Sequence, residues 1–111
     1  MDASLEIAAQ RMLTLNDVGL SAASTPHEVR QRCDVIAADL ATCYLAGSLS
    51  WLDADTRANN IYDLMISHCG SLVPSFAWDV FLAFDEGEVD DRGDSYTRPR
   101  VTELMRKYGA A

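Results

Sequence analysis

A chain of 111 residues with 17 acidic side chains against nine lysines and arginines has a formal net charge of -8. That length fits one domain around one hydrophobic core. The acid excess argues against binding to nucleic acid or to an anionic membrane surface and favours solubility or a basic partner.

The opening stretch MDASLEIAAQR carries acids where a secretion signal needs positive charge, and no apolar segment follows them. The longest apolar candidate, residues 35–52, is interrupted by Asp39, Thr42, Gly47, Ser48 and Ser50 and is unsuited to crossing a bilayer. A soluble, cytoplasmic protein is the expectation. Leu5, Ala8, Ala9, Met12 and Leu13 keep the spacing of one helix face, with Asp2 or Ser4 as cap. Asn16, Gly19 and Ser21 then mark a connection.

Thr25, Pro26 and Glu28 spell a helix start. The threonine caps, proline suits the first helical position, and glutamate three residues after the threonine closes a capping box. Val29, Cys33, Ile36, Leu40 and then Cys43 or Tyr44 continue an apolar stripe until Gly47, which predicts a helix over about 26–46. Residues 48–52 form a connection bearing Trp51. Asp53 or Asp55 is the expected cap of a helix over about 54–69, with Ala58, Ile61, Tyr62, Met65, His68 and Cys69 on its apolar face and Gly70 just past its end.

Pro74 and Ser75 open the most apolar run, in which Asp79 is the one polar residue between Phe76 and Phe84. Ser75 as cap, Asp79 in the first turn and Gly87 as a stop predict a helix over about 75–86. Apolar nearly all round, it should be central, with Trp78, Phe81, Leu82 and Phe84 among the more buried side chains. Residues 88–95 read as a polar loop, and Pro99 as the start of a last helix with Val101, Leu104, Met105 and Tyr108 turned inward. Five helices with short links make an all-α, single-domain bundle.

Charge is concentrated at one place. Residues 79–94 hold seven acids against Arg92, a net of -6 within a chain of -8. The spacing fails as a calcium loop, because starting at Asp85 puts Gly87 and Val89 at ligand positions, and starting at Asp90 puts Val101 where a glutamate is needed. Three cysteines without a C-x-x-C pair fit neither a disulfide framework nor a zinc site; they read as small buried hydrophobes. His27 reads as a solvated surface residue and His68 as a core or boundary residue. Cys69 beside His68 is no catalytic pair, since neighbours on a helix point about 100° apart. No nucleophile elbow, glycine-rich phosphate loop or H-E-x-x-H motif is present. No cofactor and no metal are therefore expected. The expected working surface is the acidic stretch itself, Asp85, Glu86, Glu88, Asp90, Asp91, Asp94 and Tyr96, flanked by Trp51 and Trp78 as aromatic anchors.

The run FAWDVFLAFDEGE at residues 76–88, followed by Tyr96-Thr97-Arg98-Pro99, resembles a pattern in small bacterial proteins that accompany secreted toxins, the helical immunity proteins of contact-dependent and type VI systems. The resemblance implies a cytoplasmic, non-enzymatic protein that binds one cognate toxin domain, often through that domain's basic face, and occludes it. The alternatives are a helical adaptor for another basic partner and a small enzyme using His68 with a cysteine or carboxylate.

Overall fold

The capping box forms as spelled. Thr25 Oγ1 accepts from the Glu28 amide at 3.1 Å, and the Glu28 carboxylate accepts from the Thr25 amide at 3.0 Å. Two of the orphan donors at the helix start are thereby satisfied. The computed structural model describes residues 1–69 and 75–109, and its described secondary structure is wholly helical. In chain order the helices are α1 (Ala3–Ala8), α2 (Pro26–Leu45), α3 (Trp51–His68), α4 (Ser75–Gly87) and α5 (Gly93–Lys107), with 3-10 turns at Asn16–Val18 and Val89–Asp91. No helix among the described residues is long and apolar enough to cross a membrane.

α2 buries Val29, Cys33, Ile36, Leu40 and Tyr44, the stripe expected of it, and the chain leaves through Gly47 at φ 84°. Only glycine adopts that backbone without strain. α4 packs against α2, α3 and α5, so it is central as expected. Its burial is narrower than its composition predicts. Phe76, Ala77, Val80, Ala83 and Phe84 are buried, whereas Trp78, Phe81 and Leu82 are only half-buried. The outer aromatics cover one another instead: Phe81 stacks on Tyr62 of α3 at 3.9 Å, and Trp78 lies 5.5 Å from the same ring. The Asp34 carboxylate of α2 accepts from the Ala77 amide at 2.8 Å, so a neighbouring helix caps an amide in the first turn of α4. The roles expected of Gly70 and of the Ser75 side chain fall outside the described residues.

Several boundaries differ from the sequence reading. α1 ends at Ala8, so Met12 is exposed while Leu13 still reaches the core. Its closing carbonyls are taken by α3: Arg57 Nε donates to Leu5 O at 3.0 Å and Asn60 Nδ2 to Ala8 O at 2.6 Å. Its start is held by α2, where Arg32 pairs with Asp2 at 3.0 Å and Asp39 accepts from the Asp2 amide. α3 begins at Trp51, three residues early, because Ser50 rather than an aspartate caps it through the Asp53 amide. His68 is exposed, not a core or boundary residue. Cys33 and Cys69 are buried and Cys43 is half-buried; all three are free thiols. Burial pushes the Cys33 thiol up to about 12, so it stays protonated at neutral pH.

α5 starts at Gly93, six residues before Pro99, which sits inside the helix. Its first turns are pinned from outside: the Tyr44 hydroxyl donates to Asp94, and Trp51 Nε1 donates to Thr97 Oγ1 at 2.8 Å. These tertiary bonds outweigh the missing proline N–H. Pro99 should therefore be a net cost. An interior proline is about 3 kcal/mol worse than alanine, offset by roughly 1 kcal/mol of lost freedom in the unfolded chain. Pro99→Ala is expected to stabilise by about 1 to 2 kcal/mol and to raise the melting temperature in a thermal scan. An unchanged or lower melting temperature would mean that the proline fits its helix without penalty.

Candidate functional site

The acidic stretch sits on the reversal between α4 and α5. Its position is fixed by close packing at the end of α4. Thr97 Oγ1 donates to Ala83 O at 2.9 Å and accepts from the Trp51 indole, which ties three helices together. A Cβ on Gly87 would lie 2.3 Å from that oxygen and 3.3 Å from the Trp51 ring. Gly87 is thus required by approach, with the helix stop a secondary matter. After it the chain turns through Asp90, Asp91 and Gly93, each at φ 53°. Aspartate tolerates that left-handed backbone better than most residues. Geometry as well as charge therefore favours aspartate in this turn.

The seven expected residues divide into two sets. Asp85, Glu88, Asp90 and Asp91 are exposed, and Arg92 lies 4.0 Å from Asp90. Glu86, Asp94 and Tyr96 are engaged within the fold. The Tyr96 hydroxyl donates to Glu86, and the Tyr96 ring lies under the Arg100 guanidinium at 3.5 Å with Arg92 at 5.3 Å. Asp94 accepts from Tyr44 and from Arg98 Nε at 3.2 Å, and these bonds hold its carboxyl below its ordinary range. The reversal is shorter than a loop over 88–95, because residues from Gly93 onward are helical.

Trp51 flanks the acids as expected, while Trp78 belongs to the Tyr62 and Phe81 cluster. Trp51, Leu52 and Asp55 of α3 line a pocket of about 430 Å³ together with Gly87, Glu88, Asp91 and Gly93. Asp55 was expected to cap a helix; instead it is a buried acid, 7% exposed. Its Oδ1 has no hydrogen-bond partner. Burial, then the adjacent Glu88 and Asp85 carboxylates, push its carboxyl up to about 7. Asn59 holds Glu88 in place, its Nδ2 reaching the Glu88 carboxylate at 3.5 Å and donating to Asp55 O at 3.0 Å. One signal for Asp55 was available in the sequence. It falls on the same three-to-four stripe as Trp51 and Ala58, an acid on an apolar face.

A second groove of about 330 Å³ lies between α4 and α5, lined by Asp79, Leu82, Glu86, Arg100 and Glu103 among others. Its charges are mixed, and it lacks the single sign of the first pocket. Among the described residues no group of three histidine, cysteine or acidic side chains is placed to hold a metal ion. No family model, curated protein or solved structure matches the chain.

Proposed function

We propose that this protein is an immunity protein: it binds a cognate bacterial toxin domain through that domain's basic face and blocks it, acting in the cytoplasm by binding rather than by catalysis. The observation that carries the reading is the set of four exposed acids, Asp85 in the last turn of α4 and Glu88, Asp90 and Asp91 on the short reversal after it, with Arg92 4.0 Å from Asp90. Carboxylates present to Arg and Lys the same charge and acceptor geometry as phosphate does, so such a surface suits a substrate groove built for phosphate. Like-charged acids on a rigid turn also speed encounter by long-range attraction. The buried face of α4 supplies the rigidity. The resemblance of residues 76–88 to helical immunity proteins points the same way.

The test begins with capture of the partner from the native cells and expression of that partner, alone and with this protein, in a naive bacterial host. A partner that kills alone and is tolerated in company supports the reading. A partner that is harmless alone replaces it with an adaptor role. The surface is tested with Asp85→Asn, Asp90→Asn and Asp91→Asn combined, since asparagine keeps the left-handed turn while removing charge. Exposed substitutions of this kind change stability within about 0.5 kcal/mol. Association with the captured partner should slow by about tenfold or more and lose most of its salt dependence. Glu6→Gln, at an exposed acid on α1, is the control. Asp2, also far along the chain, is unsuitable because it caps α1 and pairs with Arg32. Undiminished association by the triple variant would remove the reversal from the interface.

A further inference from the structure

We propose that the pocket between the start of α3 and the α4–α5 reversal is the seat of one arginine side chain of the partner, with Asp55 and Glu88 as its carboxylate ligands and Trp51 as its aromatic wall. The inference rests on the binding reading above and names what the site takes. Three observations carry it. Asp55 is more than nine-tenths buried, with an oxygen that no donor reaches. A buried ionised acceptor without a donor is costly, so Asp55 keeps a proton in the empty pocket, and a guanidinium is a donor able to replace that proton. The charged side chains lining the pocket, Asp55, Glu88 and Asp91, are all acidic. Leu52, 65% exposed, and Trp51 add apolar surface to the lining.

The chemistry selects the occupant. Two carboxyls, Asp55 on α3 and Glu88 on the reversal, offer the acceptor pair that the planar fork of a guanidinium takes, and a guanidinium also stacks on an indole face. A lysine ammonium offers neither the fork nor the stacking. Gly93, where a Cβ would meet nothing within 4 Å, adds no side chain to the pocket lining. The Trp51 nitrogen is committed inward to Thr97, which fixes the ring as a wall.

The empty pocket also has a proton balance. The groups acting on Asp55 are Glu88 just past α4 and Asp85 in its last turn, both acids, with Asp91 also in the lining and neutral Asn59 on α3 itself. A proton held by Asp55 relieves this repulsion. An entering guanidinium takes over that role and releases the proton to solvent. Binding should therefore strengthen as pH rises through 7. The sign for folding is opposite. The folded carboxyl is pushed up to about 7 from the ordinary aspartate range, so the contribution of Asp55 to stability is present at low pH and is lost as pH rises from about 4 to about 7. Asp55→Asn removes this dependence and should melt higher than the parent at pH 8.

The experiment titrates the intact protein with L-argininamide, lysinamide and citrullinamide while following the Trp51 indole and the Gly87 and Gly93 amides by NMR. Argininamide should shift these signals saturably and at least tenfold more tightly than the isosteric, uncharged citrullinamide. Asp55→Asn should weaken it at least tenfold while melting higher at pH 8. Glu88→Gln, at an exposed position, gives the same readout should Asp55→Asn not fold. Equal response to argininamide and citrullinamide, or argininamide binding unaffected by both variants, would overturn the assignment. Saturable binding of zinc or calcium at these signals, with no response to argininamide, would make it a metal site and overturn it as well. The two readings fail separately. If Asp55→Asn still binds the captured partner at full strength while the reversal triple variant does not, the arginine seat is wrong and the acidic surface stands. If argininamide binds but the captured partner is harmless, the seat stands and the immunity role falls.

Discussion

Phe84→Ala should cost about 3 to 5 kcal/mol, a large share of the total stability of about 5 to 15 kcal/mol usual for a domain. Phe84 is fully buried. Its ring meets Tyr44 of α2 edge-on at 5.1 Å and lies 6.5 Å from Trp51 of α3, so three helices lose contact when it is truncated. Little can collapse into the hole, because Tyr44 is itself tied by its hydroxyl to Asp94. Phe81→Ala removes an equally large ring from the same helix, but from a half-buried position stacked on one neighbour. The stack and partial burial are worth about 1 to 2 kcal/mol. Urea unfolding of both variants with equal slopes would check the order. A larger loss for Phe81→Ala would mean that the outer aromatic cluster, and not the Phe84 contact, is the centre of the core.

The second large effect belongs to a single methyl group. Gly87→Ala places a Cβ 2.3 Å from Thr97 Oγ1, far inside contact distance. Helix propensity alone would favour alanine by about 1 kcal/mol. Overpacking opposes it by about 1 to 3 kcal/mol, and more where the obstructing atom cannot move. This oxygen is held by two hydrogen bonds, to Ala83 O and from Trp51, so it yields only by giving up one of them. With overpacking at the upper end of that range, net destabilisation of about 1 to 2 kcal/mol is expected. Thr97→Ala alone should cost a similar amount, about 1 to 3 kcal/mol, by leaving the Trp51 N–H without its acceptor. The double variant should cost less than the two summed, by about 1 kcal/mol or more, because the threonine is the obstacle. Strict additivity in a thermal-unfolding cycle would place the strain of Gly87→Ala elsewhere.

Local signals were legible where the physics is local. Thr25, Pro26, Glu28 and Gly47 set the limits of α2 through bonds and backbone angles that involve only near neighbours. Signals failed where distant residues decide. Pro99 looks like a helix start until Tyr44 and Trp51, some fifty residues earlier, are seen to anchor Asp94 and Thr97 ahead of it. The apolar run of α4 gave its position but not its inner side, because Trp78 and Phe81 are sheltered by Tyr62 rather than by the core. The acidic stretch was plain as composition. That Glu86, Asp94 and Tyr96 are occupied within the fold, and that Asp55 joins Glu88, required the approach of helices remote in sequence.

α1 has only six residues and is fastened by side chains at both ends, to α2 through Arg32 and Asp39 and to α3 through Arg57 and Asn60. A helix that short has no stability of its own, since nucleation is not recovered in so few residues. Its order is borrowed from two elements made later. As the chain leaves the ribosome, residues 3–8 emerge well before Asn60 is available to receive them. The earliest of the five helices in sequence is thus among the last to form, and until α2 and α3 have met, Leu5 stays exposed to the nascent chain's surroundings.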